Sequence, residues 1–152
     1  MSELNNNEVA SQVIARILED AAFIFTDRLD GNEMSELERW NATGFSLSFT
    51  GERSGSLCMW ADDSFARYAA ANMLGIDEND DDAEDKGKDA MKEILNMVVG
   101  NFITALYGED PIFDLGIPER LPDESLGEDL NSKDTVWLQA EGNPVLFVVK
   151  EE

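Results

Sequence analysis

The hydrophobic pattern of this chain switches between two periods, and the switches mark its elements. From Val9 to Asp27 the apolar residues Val13, Ile14, Ile17, Leu18, Ala21 and Phe25 recur at helical spacing, following residues 1–8, which are polar and expected to form a mobile tail. Asp30 to Trp40 is expected to hold a turn and a short strand. The period then drops to two. In GFSLSFT, residues 44–50, Phe45, Leu47 and Phe49 alternate with Ser46 and Ser48, which predicts a half-buried strand. GERSG turns the chain, and SLCMW, residues 56–60, returns as the partner strand. Asp62 or Asp63 offers an N-cap for a helix ending at Leu74, with Ala66, Ala69, Ala70, Met73 and Leu74 on its buried stripe. Farther on, Ile112–Ile117 predicts a short strand and residues 118–134 an exposed loop. Thr135–Ala140 and Val145–Val149 then pair as a hairpin through EGNP. A coarse helix-then-strands order occurs twice, with a short helix between. The elements add up to one α+β domain over residues 9–152.

The strongest helical pattern, DAMKEILNMVVGNFITALY at residues 89–107, has a chemically selected wet face. At about 100° per residue, Ile94, Leu95, Val98, Val99, Phe102, Ala105 and Leu106 fall on one apolar side. Asp89, Glu93, Asn96, Gly100, Thr104 and Tyr107 fall on the other. Glu93 and Asn96 stand three apart and are neighbours on that face. Any solvated helix presents acids and amides, but two features set this one apart. Asparagine is a mediocre helix former, yet Asn96 and Asn101 both lie in the interior. Gly100 costs about 1 kcal/mol relative to Ala there, a cost explained by close packing or close docking. An acid, a carboxamide and a bare patch on a rigid helix form a small docking and water-positioning site.

Composition narrows the function further. The chain has 152 residues and is 43% hydrophobic, which suits a single globular core. It contains no histidine, which excludes Ser-His-Asp and Cys-His nucleophile pairs and His-ligated zinc. Thirty-three acids against 11 bases give a net charge of −22, which disfavours nucleic acid and anionic membranes. The lone Cys58 has no intrachain partner for a disulfide and is expected to be a small buried hydrophobe. With no run of apolar residues long enough to span a membrane and no secretory-signal pattern at the N-terminus, the expected location is the cytoplasm. The densest acidic run, Asp77 to Asp85, matches the opening of a calcium loop at Asp77, Asn79 and Asp81. The pattern then fails, because Asp82 stands where glycine is required and Lys88 where the closing glutamate is required. The run is expected to be a solvated linker whose last acids favour the next helix N-terminus.

Asp89, Glu93, Asn96, Gly100 and Asn101 reproduce the D-x-x-x-E-x-x-N-x-x-x-G-N signature of the CheC/CheX family of chemotaxis phosphatases, which this chain resembles from about Val9 to Val149. GSLCMWADDSFARYAAANMLG, residues 55–75, looks like the strand–helix unit before the signature helix, and PIFDLGIPE, TVWLQA and PVLFVV resemble the strands after it. The resemblance implies a CheC-like fold, with helices packed on a mainly antiparallel sheet in a pseudo-two-fold layout. It is closest to the CheX branch, because the N-terminal helix has Ala22 three residues after Glu19, where a second signature would have asparagine. Carried over, the activity is removal of phosphate from the phospho-aspartate of a CheY-like response-regulator receiver. Glu93 would pair with a receiver lysine, and Asn96 would hold the attacking water in line with phosphorus. Asp89, Gly100 and Asn101 would support that face. The Mg2+ would belong to the receiver, so no cofactor or metal of the chain's own is expected. A homodimer is left open, with the apolar hairpin strands as its candidate shared sheet edge. The rival reading is a non-catalytic CheC-like module that binds a receiver or a flagellar-switch partner.

Overall fold

Alternation in one strand and near-continuous apolar runs in three others give a single antiparallel sheet with a core on each face. The computed structural model describes residues 6–28, 40–140 and 142–151. In chain order the elements are α1 (Asn6–Ala22), β1 (Thr26–Arg28), β2 (Ala42–Thr50), β3 (Gly55–Asp62), α2 (Asp63–Leu74) and α3 (Ala83–Tyr107). There follow β4 (Asp114–Leu115), β5 (Glu119–Arg120), α4 (Ser125–Leu130), β6 (Thr135–Ala140) and β7 (Asn143–Glu151). The sheet order is β1-β6-β7-β3-β2-β4, with β5 also on β2, and every pairing is antiparallel. This order is pseudo-symmetric. β1-β6-β7 mirrors β4-β2-β3, and each half lends its short edge strand to the other half.

Helices α1, α2 and α3 cover one face. Ile14, Leu18, Phe65, Ile94, Leu95, Val98 and Phe102 pack there on Phe45, Leu47, Phe49, Leu57, Met59, Val136, Leu138 and Phe147. The opposite face carries Cys58, Trp60, Trp137, Leu146 and Val148, so the central strands are buried on both sides, the reason their sequences do not alternate. Half-buried Leu121, Leu126 and Leu130 cover this second cluster. A buried carboxylate pins the cover down. Trp60 Nε1 donates to Asp129 Oδ2 at 2.8 Å, and Lys150 Nζ meets Asp129 Oδ1 at 2.9 Å. Burial alone would lower the Lys150 pKa, but the Asp129 hydrogen bond and neighbouring negative groups raise it overall.

Several expectations are corrected. The first helix begins at Asn6, inside the stretch expected as tail, and stops at Ala22 rather than Asp27. Phe23 takes φ 56°, its N–H reaching Glu19 O at 3.1 Å while the Ile24 N–H reaches Leu18 O at 2.9 Å. That exit buries Ile24 and turns Phe25 outward, 69% exposed, so Phe25 is not a core residue. The strand expected at Ile112–Ile117 shrinks to Asp114–Leu115, with Ile112 and Ile117 both exposed. Residues 118–134 are not simply an exposed loop, because they hold β5, α4 and the leucines of the second cluster. The hairpin is not a sheet edge either. β7 lies between β6 and β3, and β6 lies between β7 and β1. The turn and strand expected at Asp30–Trp40 lie outside the described residues except for Trp40, whose ring centroid is 5.5 Å from that of Trp137.

Candidate functional site

Helix α3 begins where Glu84 and Asp85 place negative charge in the first turn, which suits the positive end of the helix dipole. It ends at Gly108, whose N–H bonds to Thr104 O at 2.9 Å. Six residues of the expected acidic linker and helix approach are redistributed: the helix begins at Ala83, not Asp89, and only residues before it form turns. In those turns Asp77 Oδ1 accepts the Asn79 N–H at 2.9 Å. Among the described residues no three Cys, Asp or Glu side chains come together as metal ligands.

The inner side of α3 buries Ala90, Met91, Ile94, Leu95, Val98, Val99, Phe102 and Ile103 between α1, α2 and the sheet. Ala105, expected in the core, is exposed, and Ile103 is buried instead. The outer side exposes Asp89, Glu93, Asn96, Asn101 and Thr104, with Gly100 half-buried between them. Glu93 and Asn96 are separated by about 4.5 Å of rise, and Gly100 lies about 6 Å beyond Asn96 along the axis. Tyr107 leaves this face, stacking on Phe113 with ring centroids 5.4 Å apart.

The polar side chains of the face divide into two kinds. Asn101 Nδ2 donates to Met97 O at 2.8 Å, and Thr104 Oγ1 donates to Gly100 O at 3.1 Å, so both are engaged within the helix. The side chains of Asp89, Glu93 and Asn96 make no hydrogen bond or ion pair among the described residues. Their groups face water and are free for a partner. Asn101, one of the residues expected to support the site, therefore acts on the helix backbone.

Two glycines in this one helix separate packing from docking. A Cβ on Gly87 would lie 2.9 Å from Ala66 Cβ, so Gly87 exists to let α2 and α3 touch. A Cβ on Gly100 would meet nothing within 4 Å. Nothing inside the described fold requires glycine there. Clefts open on either side of it. One is lined by Val13, Arg16, Ile17, Asn101, Thr104 and Ala105, between α1 and α3. The other runs from Gly100 and Thr104 to Pro111, Phe113 and Leu115. Sequence inspection did not reveal these clefts, because their walls come from distant segments. On α1, Glu19 is exposed but Ala22 is fully buried, so that helix presents no second acid–amide pair.

Residues 44–138, more than half of the chain, match the family model of the chemotaxis phosphatase CheX. The chain belongs to the CheX family. Its fold is shared with solved CheX structures over nearly the whole of each chain. The CheX of a CheX–CheY–BeF3–Mg2+ complex from Borrelia burgdorferi gives a TM-score of 0.71 at 16% identity, covering 99% of both chains. CheX from Vibrio vulnificus gives 0.71 at 17% identity, covering 100% of this chain and 99% of the other. CheX from Desulfovibrio desulfuricans gives 0.69 at 16% identity, covering 98% and 100%. No curated protein matches the sequence. Among the described residues no helix is long and apolar enough to cross a membrane.

Proposed function

We propose that this CheX-family chain hydrolyses the phospho-aspartate of a CheY-like receiver, with α3 as the docking element. The observation that carries the reading is the pair Glu93 and Asn96, adjacent, exposed and unengaged, beside a glycine that nothing inside the described fold requires. Glu93 supplies a fixed negative charge for a receiver lysine. Asn96 reaches the acyl phosphate and holds a water in line with phosphorus. A carboxamide suits that task, since it donates and accepts hydrogen bonds without placing a second negative charge beside the phosphoryl group. An acyl phosphate is already activated, so positioning the nucleophile supplies the rate gain and no covalent intermediate on the phosphatase is required. The divalent ion of such a complex is assigned to the receiver. Asp89 extends the acidic end of the face, and Gly100 lets the receiver surface approach.

The test is phosphate loss from phosphorylated receivers of the same genome, with wild type, with Asn96→Ala and with no added protein. Asn96→Ala is expected to abolish the acceleration while still binding the receiver. Glu93→Ala is expected to weaken docking by about 2–5 kcal/mol, because the pair is desolvated under the partner. Acceleration that survives Asn96→Ala would put the chemistry elsewhere. Tight binding with no acceleration would leave a non-catalytic interaction module.

A further inference from the structure

The proposed site uses the acidic and neutral part of α3, and the groove beside it remains unassigned. From Ile94 to Tyr107 the helix carries no charged residue. Among the described residues Arg16, on α1, is the one charged side chain lining the groove, whose other walls are Val13, Ile17, Asn101, Thr104 and Ala105. Arg16 is exposed and makes no ion pair or hydrogen bond among the described residues. Glu19 and Asp20 lie one turn further along α1, and neither closes a bridge to it. In a chain of net charge −22 this places a cation, unengaged among the described residues, in a groove of mixed polar and apolar walls. It is also within reach of the proposed interface. The groove residues Asn101 and Thr104 stand about 12–17 Å along α3 from Glu93. A standard interface of ~800 Å² per partner is roughly 32 Å across, so a receiver centred on Asn96 and Gly100 reaches Asn101 and Thr104, which line the groove together with Arg16.

Resting on the receiver-phosphatase reading, we propose that the groove between α1 and α3 is the second half of the docking surface and takes an acidic side chain of the receiver, held by Arg16. The two ends of the surface then carry opposite charge. Glu93 meets a receiver cation, Arg16 meets a receiver carboxylate, and the polarity fixes the orientation in which the receiver docks. The apolar stems of Val13 and Ile17 exclude water from the Arg16 contact and make it worth more than an open surface pair.

The experiment measures binding of beryllofluoride-activated receivers, and turnover of phosphorylated ones, with wild type, Arg16→Lys and Arg16→Glu. Arg16 is exposed, so all three fold alike, as circular dichroism would verify. Arg16→Glu is expected to raise both Kd and KM by about tenfold or more, with kcat retained at saturation, whereas Arg16→Lys loses less. Reversing the facing receiver carboxylate to lysine is expected to restore binding to Arg16→Glu and weaken binding to wild type. If Arg16→Glu binds within about twofold of wild type while wild type still accelerates phosphate loss, the groove proposal is overturned and the phosphatase reading stands. If wild type neither binds nor accelerates any receiver, both are overturned.

Discussion

Replacing Gly100 by alanine is expected to make the protein more stable and less able to dock. The stability term follows from the helix. Glycine in a helix interior loses about 0.5–1 kcal/mol relative to alanine through backbone entropy, and the Gly100 Cβ position is open, so nothing offsets that gain. For a domain of this size about 1 kcal/mol moves Tm by ~2–4 °C, so Gly100→Ala is expected to melt about 1–4 °C higher. Gly87→Ala is the internal control. It receives the same backbone gain, but its Cβ would sit 2.9 Å from Ala66 Cβ and 3.0 Å from the Ala66 carbonyl carbon. Backbone atoms have no rotamer with which to move aside, and overpacking of this kind costs about 1–3 kcal/mol, so Gly87→Ala is expected to melt lower. The docking term has the opposite sign at position 100. Gly100→Leu places a side chain where the receiver is proposed to approach, costing about 1–3 kcal/mol, or roughly 5- to 150-fold in Kd. Urea or thermal unfolding and receiver titration read the two terms separately. A destabilised Gly100→Ala would mean an internal packing role, and wild-type affinity in Gly100→Leu would remove the bare patch from the interface.

Three further outcomes test the fold around the site. Gly75→Ala has the open space of Gly100 but not its backbone, since Gly75 caps α2 at φ 71°, and it is expected to cost about 1–2 kcal/mol in unfolding free energy. Asp129→Ala strands the buried Trp60 indole N–H and loosens α4, with an expected loss of about 1–3 kcal/mol and a change in Trp60 fluorescence. Cys58 is 1% exposed, and burial, partly offset by the Lys150 charge, pushes its pKa up from 9.0 to about 11. Between those values the unfolded chain releases the thiol proton and the native protein keeps it, so stability falls as pH rises through that window. The loss reaches about 2–3 kcal/mol, is absent in Cys58→Ala, and is measured by urea midpoints of both proteins across pH 8–11.

How much of this was readable beforehand depended on whether the signal was local. The alternation of Phe45, Leu47 and Phe49 and the stripe from Ile94 to Phe102 are written within single elements, and both landed where expected. That Glu93, Asn96 and Gly100 share one outward face was readable for the same reason, since a helix turns sequence spacing directly into a face. Element ends were less so. The apolar rhythm runs past Ala22 to Phe25, and only the turn at Phe23 reveals that the helix has already stopped. Residues 118–134 appeared to be loop because three leucines set no period of their own. The indirect signal lay in SLCMW and PVLFVV, whose unbroken apolar runs require cover on both sheet faces. Leu121, Leu126 and Leu130 supply it on the second face. Ala105 and Arg16 are 89 positions apart, and no reading of one helix could predict the groove they line together.

The distribution of residues on α3 explains why so spare a site can sit on so acidic a protein. Apart from half-buried Met97, every large apolar residue of the helix from Met91 to Ile103 is buried against α1, α2 or the sheet, so the backbone beneath Glu93 and Asn96 is fixed from behind. On the front face the side chains of Glu93 and Asn96 and the open Gly100 position contribute nothing to the described fold. Stability and the proposed docking therefore draw on opposite sides of one element, so substitutions on the front are expected to change receiver binding without touching the core. Water positioning for an acyl phosphate demands this arrangement more than it demands reactive side chains, because misplacement of even about 1 Å costs ~100-fold. On the face itself the negative charge ends at Asp89 and Glu93, and the stretch from Ile94 to Tyr107 carries none. Docked as proposed, a phosphorylated receiver would meet a neutral amide and a glycine beyond Glu93, where most of this surface would repel it.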